Sequence, residues 1–139
     1  MDKKETLFWK SIKKETKEMG FLFHRIENIA NSGTPDLLCC HKNIGYFTIE
    51  LKVTSNYKVV ISPFQIGFNK MAWDNTFKAF YLVKTPEPRT LKLYGGNQGE
   101  ELAKLGHIKV KPLFQGSRIA DLVNYLLSAV WLLGLPNPP

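Results

Sequence analysis

Cysteine is nearly absent from this chain: among 139 residues there are only Cys39 and Cys40. They are neighbours, and neighbouring residues on a strand point to opposite faces, so an internal disulfide is not expected. With no further cysteine and no paired histidine, there is no zinc motif. The two are expected to be small, reduced core residues of an intracellular, cytoplasmic protein. Long hydrophobic runs are also missing. The longest candidate, Leu122 to Leu135, is broken by Asn124 and Ser128, so no membrane span is expected. The opening Met1-Asp2-Lys3-Lys4-Glu5 is charged, unlike a signal peptide. No internal repeat or low-complexity tract is visible. Acid is the scarcer charge, 12 Asp and Glu against 19 Lys and Arg, for a net charge of +7. That balance favours a polyanionic partner and fast electrostatic encounter, though charge alone does not say which polyanion.

What is present points first to a hairpin. The length suits one domain, expected over residues 1–133 with a loose tail at 134–139, and 44% hydrophobic residues suffice for a core. In Gly33 to Lys52, the apolar runs Leu37–Cys40 and Tyr46–Ile49 flank a polar bend at His41-Lys42-Asn43, with Gly45 close by. Such runs predict two antiparallel strands. Asp36 precedes the first strand and Glu50 ends the second, so pairing brings the two carboxylates together. Lys52, two residues past Glu50, shares its face. Two carboxylates held together repel unless a cation lies between them. Hard oxygen ligands suit Mg²⁺, which also binds phosphate oxygens. A metal so held stabilises charge on a phosphodiester and acidifies a water. The lysine could orient that water or help neutralise developing charge.

The flanking segments read as α and β elements in alternation. Phe8, Ile12 and Met19 fall at helical spacing over Lys3–Met19, and Gly20 supplies the stop. Glu5 and Glu15 lie near the edges of that stripe, and either could point at the hairpin; any lone Glu is by default a solvated helix charge. Phe21–Ile26 is a short strand. His24 on it is a proton shuttle or, as the plainer reading, a partly buried strand residue. Gly33 is expected to give the backbone freedom for the tight loop before Pro35. Ser62 reads as an N-cap and Pro63 as a first-turn proline of a helix reaching Trp73 or Asn75, with Phe64, Phe68, Met71 and Trp73 expected toward the core. Phe77–Val83 and Thr90–Tyr94 read as strands, Gly99–Gly106 as a short helix, Ile108–Lys111 as a short strand, and Ser117–Leu133 as an apolar helix with Ser117 as its cap. That last helix is apolar on more surface than one neighbour covers, which raises a homodimer beside plain core packing.

The segments Gly33-Thr34-Pro35-Asp36-Leu37, Glu50-Leu51-Lys52 and Ser62-Pro63-Phe64-Gln65, in this order, resemble the PD-(D/E)xK nuclease superfamily. The details are similar to its virus-type replication-repair (VRR-NUC) and Holliday-junction-resolvase-like branches. The resemblance runs from about Glu5 to Val83. It implies an α/β (α+β) fold with a mixed central sheet flanked by helices. It implies a Mg²⁺ or Mn²⁺ ion held by Asp36, Glu50 and the carbonyl of Leu51, with a first-helix glutamate in support. Glu5 fits the family's spacing to Arg25 better than Glu15 does. It further implies that Lys52 positions the attacking water, that Gln65 points back at the metal site, and that Arg25 contacts a phosphate unless it pairs with Glu27. The partner implied is DNA, branched, flap or junction DNA before any specific sequence, because no spare domain is available for base readout. Charge alone nominates Lys42, Lys58, Lys70 and Arg118 along the DNA path. Two alternatives stand beside this: a non-catalytic nucleic-acid module on the same fold, which intact Asp36, Glu50 and Lys52 argue against, and an RNA endonuclease, which His24 on a strand fits poorly. The pattern is also similar to small phage or mobile-element nucleases.

Overall fold

The computed structural model describes residues 1–26, 33–86 and 89–128. Residues 27–32, 87–88 and 129–139 lie outside them, and with them Glu27, the expected continuation of the last helix to Leu133 and the expected tail.

Helix α1 (Lys3–Glu15) starts on a capping box. The Asp2 carboxylate accepts from the Glu5 N–H at 2.8 Å, and the Glu5 carboxylate accepts from the Asp2 N–H at 3.3 Å. It ends four residues before Met19 because Thr16 closes it, its hydroxyl and N–H both donating to the Ile12 carbonyl. Strands β1 (Leu22–Arg25), β2 (Leu37–His41) and β3 (Gly45–Val53) follow as an antiparallel meander, with Leu37 opposite Ile49. Helix α2 (Pro63–Asp74) then crosses over to β4 (Lys78–Lys84), which pairs parallel to β3 with Glu50 beside Tyr81 and Lys52 beside Val83. This βαβ unit needs a helix-length connection, as parallel strands always do. Strand β5 (Leu91–Gly95) turns back, and β6 (Phe114–Gly116) closes the six-stranded sheet in the order β1 to β6.

Each sheet face has its own apolar core. Phe8, Trp9 and Ile12 of α1 meet Phe47, Ile49, Leu51, Phe80 and Leu82, together with Ile119, Leu122 and Leu126 of α4 (Ile119–Leu127). On the other face Tyr81, Val83 and Tyr94 meet Val59, Ile61 and Leu102 of α3 (Gly99–Leu105). The alternation along β3 thus sends Leu51 to the first core, while Glu50 and Lys52 face α2.

Several expectations change. Ile108–Lys111 is a turn, despite its alternating pattern: Val110 is buried in the second core and Tyr94 Oη donates to its carbonyl. The last strand is Phe114–Gly116. Helix α4 is capped at Arg118, with no side-chain cap from Ser117. Helix α2 turns most of its apolar pattern outward, although Trp73 packs edge-on against Phe80 of the first core. Phe64, Phe68 and Met71 are exposed, while Asn69 is fully buried and Gln65 and Ile66 face inward. A Cβ at Gly33 would come within 2.8 Å of the Phe64 carbonyl oxygen, so glycine is needed for close approach of the loop to α2. Cys39 is fully buried and Cys40 half-buried, both reduced.

Candidate active site

The site forms where β2 begins, β3 ends and α2 starts. Asp36 precedes β2, and its Oδ2 accepts the Leu51 N–H at 2.8 Å. A side chain thereby extends the β2–β3 ladder by one bond and fixes the carboxylate beside Glu50. Glu50 itself is 2% exposed. Its Oε2 accepts from Gln65 Nε2 at 2.9 Å and lies 3.6 Å from Lys52 Nζ. Lys52 Nζ in turn donates to Gln65 Oε1 at 3.1 Å. Gln65 is locked by the start of α2. Its N–H donates to Ser62 Oγ and its Oε1 accepts the Ser62 N–H, each at 3.1 Å. One glutamine side chain thus caps the helix, holds the lysine and steadies the carboxylate.

The electrostatics are unbalanced. Burial, then the neighbouring Asp36, push the Glu50 carboxyl up to about 8, against the opposing pull of Lys52. Glu5 reaches the same group from the first turn of α1. Burial raises its carboxyl too, and Asp36 and Lys52 act on it from opposite directions. Glu5 and Lys52 line one cleft of about 460 Å³ with Asp2, Thr54, Asn56 and Lys58. Glu15 is exposed, on the solvent side of α1.

Among the described residues, no three His, Cys, Asp or Glu side chains converge closely enough to form a metal cluster by themselves. Glu50 Oε1, however, is buried with no hydrogen-bond partner. An orphaned carboxylate oxygen costs free energy unless something cationic meets it. Glu5, Asp36 and Glu50 act on one another across a single lysine. An all-oxygen, under-neutralised donor set of this kind fits a hard divalent cation.

The other sequence candidates scatter. Lys58 lines the cleft. Arg25 ends β1, paired with Leu37 next to Asp36. Lys42 sits in the β2–β3 turn, at the opposite end of β3 from Glu50, roughly 17 Å away at the rise of a strand. Lys70 pairs with Asp74 at 2.8 Å and Arg118 with Asp121 at 2.9 Å, both on the surface. His24 is exposed on β1. Two contributors escaped the sequence reading. Asp2 lines the cleft as the cap of α1, and the Asp-x-x-Glu spacing from Asp2 to Glu5 was the legible signal. Tyr81 lies beside Glu50 with its hydroxyl donating to the Gln65 carbonyl at 3.3 Å, and no local pattern announces it.

Comparison with protein-family models gave no match, and comparison with curated proteins gave none. Among solved structures the chain is similar to Hjc, a Holliday junction resolvase from the archaeal hyperthermophile Archaeoglobus fulgidus. The TM-score is 0.51 at 17% sequence identity, covering 64% of this chain and 73% of that chain. At this identity the likeness concerns the fold alone, a mixed sheet flanked by helices, as expected from the sequence.

Proposed function

We propose that this chain is a metal-dependent endonuclease that hydrolyses DNA phosphodiester bonds, acting on branched, flap or junction DNA in replication, recombination or repair. The observation that carries the reading is the buried Glu50, one oxygen unpartnered and the other held by Gln65, beside Asp36 and Lys52. The fold shared with a Holliday junction resolvase supports it. The finer likeness to the virus-type branch rests on Gly33 to Asp36 and Ser62 to Gln65, and the cytoplasm is the compartment that suits a DNA substrate and two reduced cysteines.

Asp36, Glu50 and the Leu51 carbonyl, with Glu5 in support, are the residues that would hold Mg²⁺ or Mn²⁺. A divalent ion bound there supplies Lewis-acid stabilisation of the phosphodiester and a lowered pKa for water. The chain does the positioning. Gln65 fixes the direction in which Glu50 presents its free oxygen. Lys52, tethered at both Gln65 and Glu50, aims its one remaining N–H donor into the cleft, where it orients a water or meets charge developing on a phosphate oxygen. Lys58, in the cleft lining, and Arg25, at the end of β1 opposite Leu37, are the phosphate contacts. The basic charge of the chain supplies the non-specific part of the affinity.

The test is a cleavage panel of labelled four-way junction, flap and plain duplex DNA, each with an RNA counterpart, in Mg²⁺ and in Mn²⁺. Branched DNA is expected to be cut faster than plain duplex, and RNA left intact. Equal cutting of RNA would replace the reading with a ribonuclease. Binding without cutting in any metal would replace it with a binding module.

A further inference from the structure

A second cleft lies directly behind the catalytic one. The segment from Thr54 to Lys58 forms the wall between them: Asn56 and Lys58 face the catalytic cleft, and Tyr57 faces the other. This second cleft, about 400 Å³, is lined by Tyr57, Lys104, Leu105, Ile108 and Lys109. That volume lies within the range of small-ligand sites, roughly 300–1,000 Å³. Tyr57 is 50% exposed and Ile108 72% exposed, and the lining carries two lysines and no carboxylate. Glu100 and Glu101 line an adjoining cleft that shares Lys104 and Leu105 with this one.

The wall is firmly held. The Tyr57 carbonyl accepts the His107 N–H at 2.9 Å, and the Asn56 carbonyl lies 3.0 Å from His107 Nε2. Lys92, 9% exposed, places its Nζ 3.1 Å from His107 Nδ1 and 2.9 Å from the His107 carbonyl. An ammonium can only donate, so Nδ1 accepts and Nε2 carries the proton given to Asn56. Gly106, at φ +85°, lies so close to Tyr57 that any side chain there would collide with it. Tyr57 is thus presented on an anchored backbone.

We propose that this second cleft binds an unpaired nucleotide of the nucleic-acid strand whose backbone crosses the catalytic cleft, with the base stacked on Tyr57 against Leu105 and Ile108 and the phosphates met by Lys104 and Lys109. The inference rests on the nuclease reading only for the path of that strand. An exposed aromatic ring beside aliphatic side chains and lysines is the composition that single-stranded nucleic acid requires: a π-face for any base and cations for the backbone. Charge complementarity with the basic rim selects a polyanion over an apolar peptide. Tyr57 lies in the wall of the catalytic cleft itself, which gives a flap or tailed substrate a place for an unpaired base beside the strand being cut.

The experiment is fluorescence anisotropy in EDTA, so that nothing is cut, with a labelled blunt DNA duplex and the same duplex carrying a single-stranded thymidine tail. Wild type is expected to favour the tailed form. Tyr57→Ala should lose about 5- to 100-fold on the tailed form and nothing on the blunt one, and Tyr57→Phe should keep the preference. Ile108→Ser, at an exposed position that cannot disturb the core, should lose a smaller factor in the same direction. Replacing Lys104 and Lys109 by Gln should reduce the salt slope for tailed DNA by about 1.4. Equal losses on both DNAs, or an undiminished tail preference in Tyr57→Ala, would overturn the site. So would a fall in particle mass from two chains to one in Ile108→Ser, which would make the cleft a self-association face. A wild type that cuts nothing in Mg²⁺ yet loses tail binding with Tyr57→Ala keeps this site and removes the nuclease reading; one that cuts branched DNA and ignores Tyr57→Ala does the reverse.

Discussion

Lys52→Ala is expected to slow single-turnover cleavage of branched DNA by about 10²- to 10⁴-fold and to lower the thermal midpoint by only a few degrees. The lysine ammonium is held at 3.1 Å from Gln65 Oε1 and 3.6 Å from Glu50 Oε2. It is therefore pre-aimed, and no water reorganises to replace it when charge develops on the phosphate. Removing one partner of a buried ion pair ordinarily costs about 3–5 kcal/mol, because the other charge is stranded. Here little charge is stranded. Burial and Asp36 hold the Glu50 carboxyl near 8 even with Lys52 in place, so at neutral pH it is largely protonated with or without the lysine and the loss should fall well below that range. Lys52→Arg should not rescue the rate, since a planar fork cannot reach Gln65 and Glu50 from the same stem in the same way. Cleavage within tenfold of wild type in Lys52→Ala would remove the lysine from the chemistry.

Glu50→Gln should abolish cleavage and make the metal-free protein more stable. The sign follows from the direction of the shift. The carboxyl titrates near 4.5 in the unfolded chain and near 8 in the folded one. The folded state therefore holds the proton more tightly. Its stabilising contribution is complete below about 4.5 and is lost as pH rises through about 8. A neutral amide of the same shape carries no such loss and can still accept from Gln65. At pH 8 without metal, the variant should exceed wild type by on the order of 2–4 kcal/mol, or roughly 5–10 °C in thermal midpoint. At pH 4 the difference should vanish. Mn²⁺ should then raise the midpoint of wild type and leave the variant unmoved, because the ion meets the charge that destabilises the apo site. A variant less stable than wild type at pH 8 would show that Glu50 is ionised and satisfied as it stands, with no unmet oxygen for a cation. Function here is kept at the expense of stability, as is common at active sites.

The hairpin and the pairing of Asp36 with Glu50 were legible because β2 and β3 are apolar runs around a polar turn, and a period of two fixes which residues share a face. The start of α2 was legible from Ser62-Pro63. Its facing was not. Phe64, Phe68 and Met71 sit at perfect helical spacing, yet they are exposed, and the buried side is Gln65, Ile66 and Asn69. Periodicity assumes that apolar means inward, and that assumption fails where a helix must carry a glutamine to a buried site. The strand read at Ile108–Lys111 failed for another reason. Alternation describes which residues are buried but not what they pair with, and Val110 is buried by packing into the second core from a turn. Strand β6, three residues at the sheet edge, is too short to announce itself. The Lys92–His107 contact that anchors Tyr57 joins residues 15 apart in sequence through the tertiary fold, and no local spacing encodes it.

The most direct test of the site is cleavage of a labelled four-way DNA junction in Mg²⁺ by wild type beside Asp36→Ala, with both proteins shown to melt cooperatively. Asp36→Ala loses the carboxylate and its 2.8 Å bond to the Leu51 N–H, where β3 runs past the start of β2, while the ladder from Leu37 to His41 stays paired, so it should remain folded. Cutting by wild type that EDTA stops, and that folded Asp36→Ala lacks, is the predicted result. Cutting that survives in Asp36→Ala, or persists in EDTA, would place the chemistry somewhere other than the Asp36–Glu50–Lys52 cluster and contradict the account.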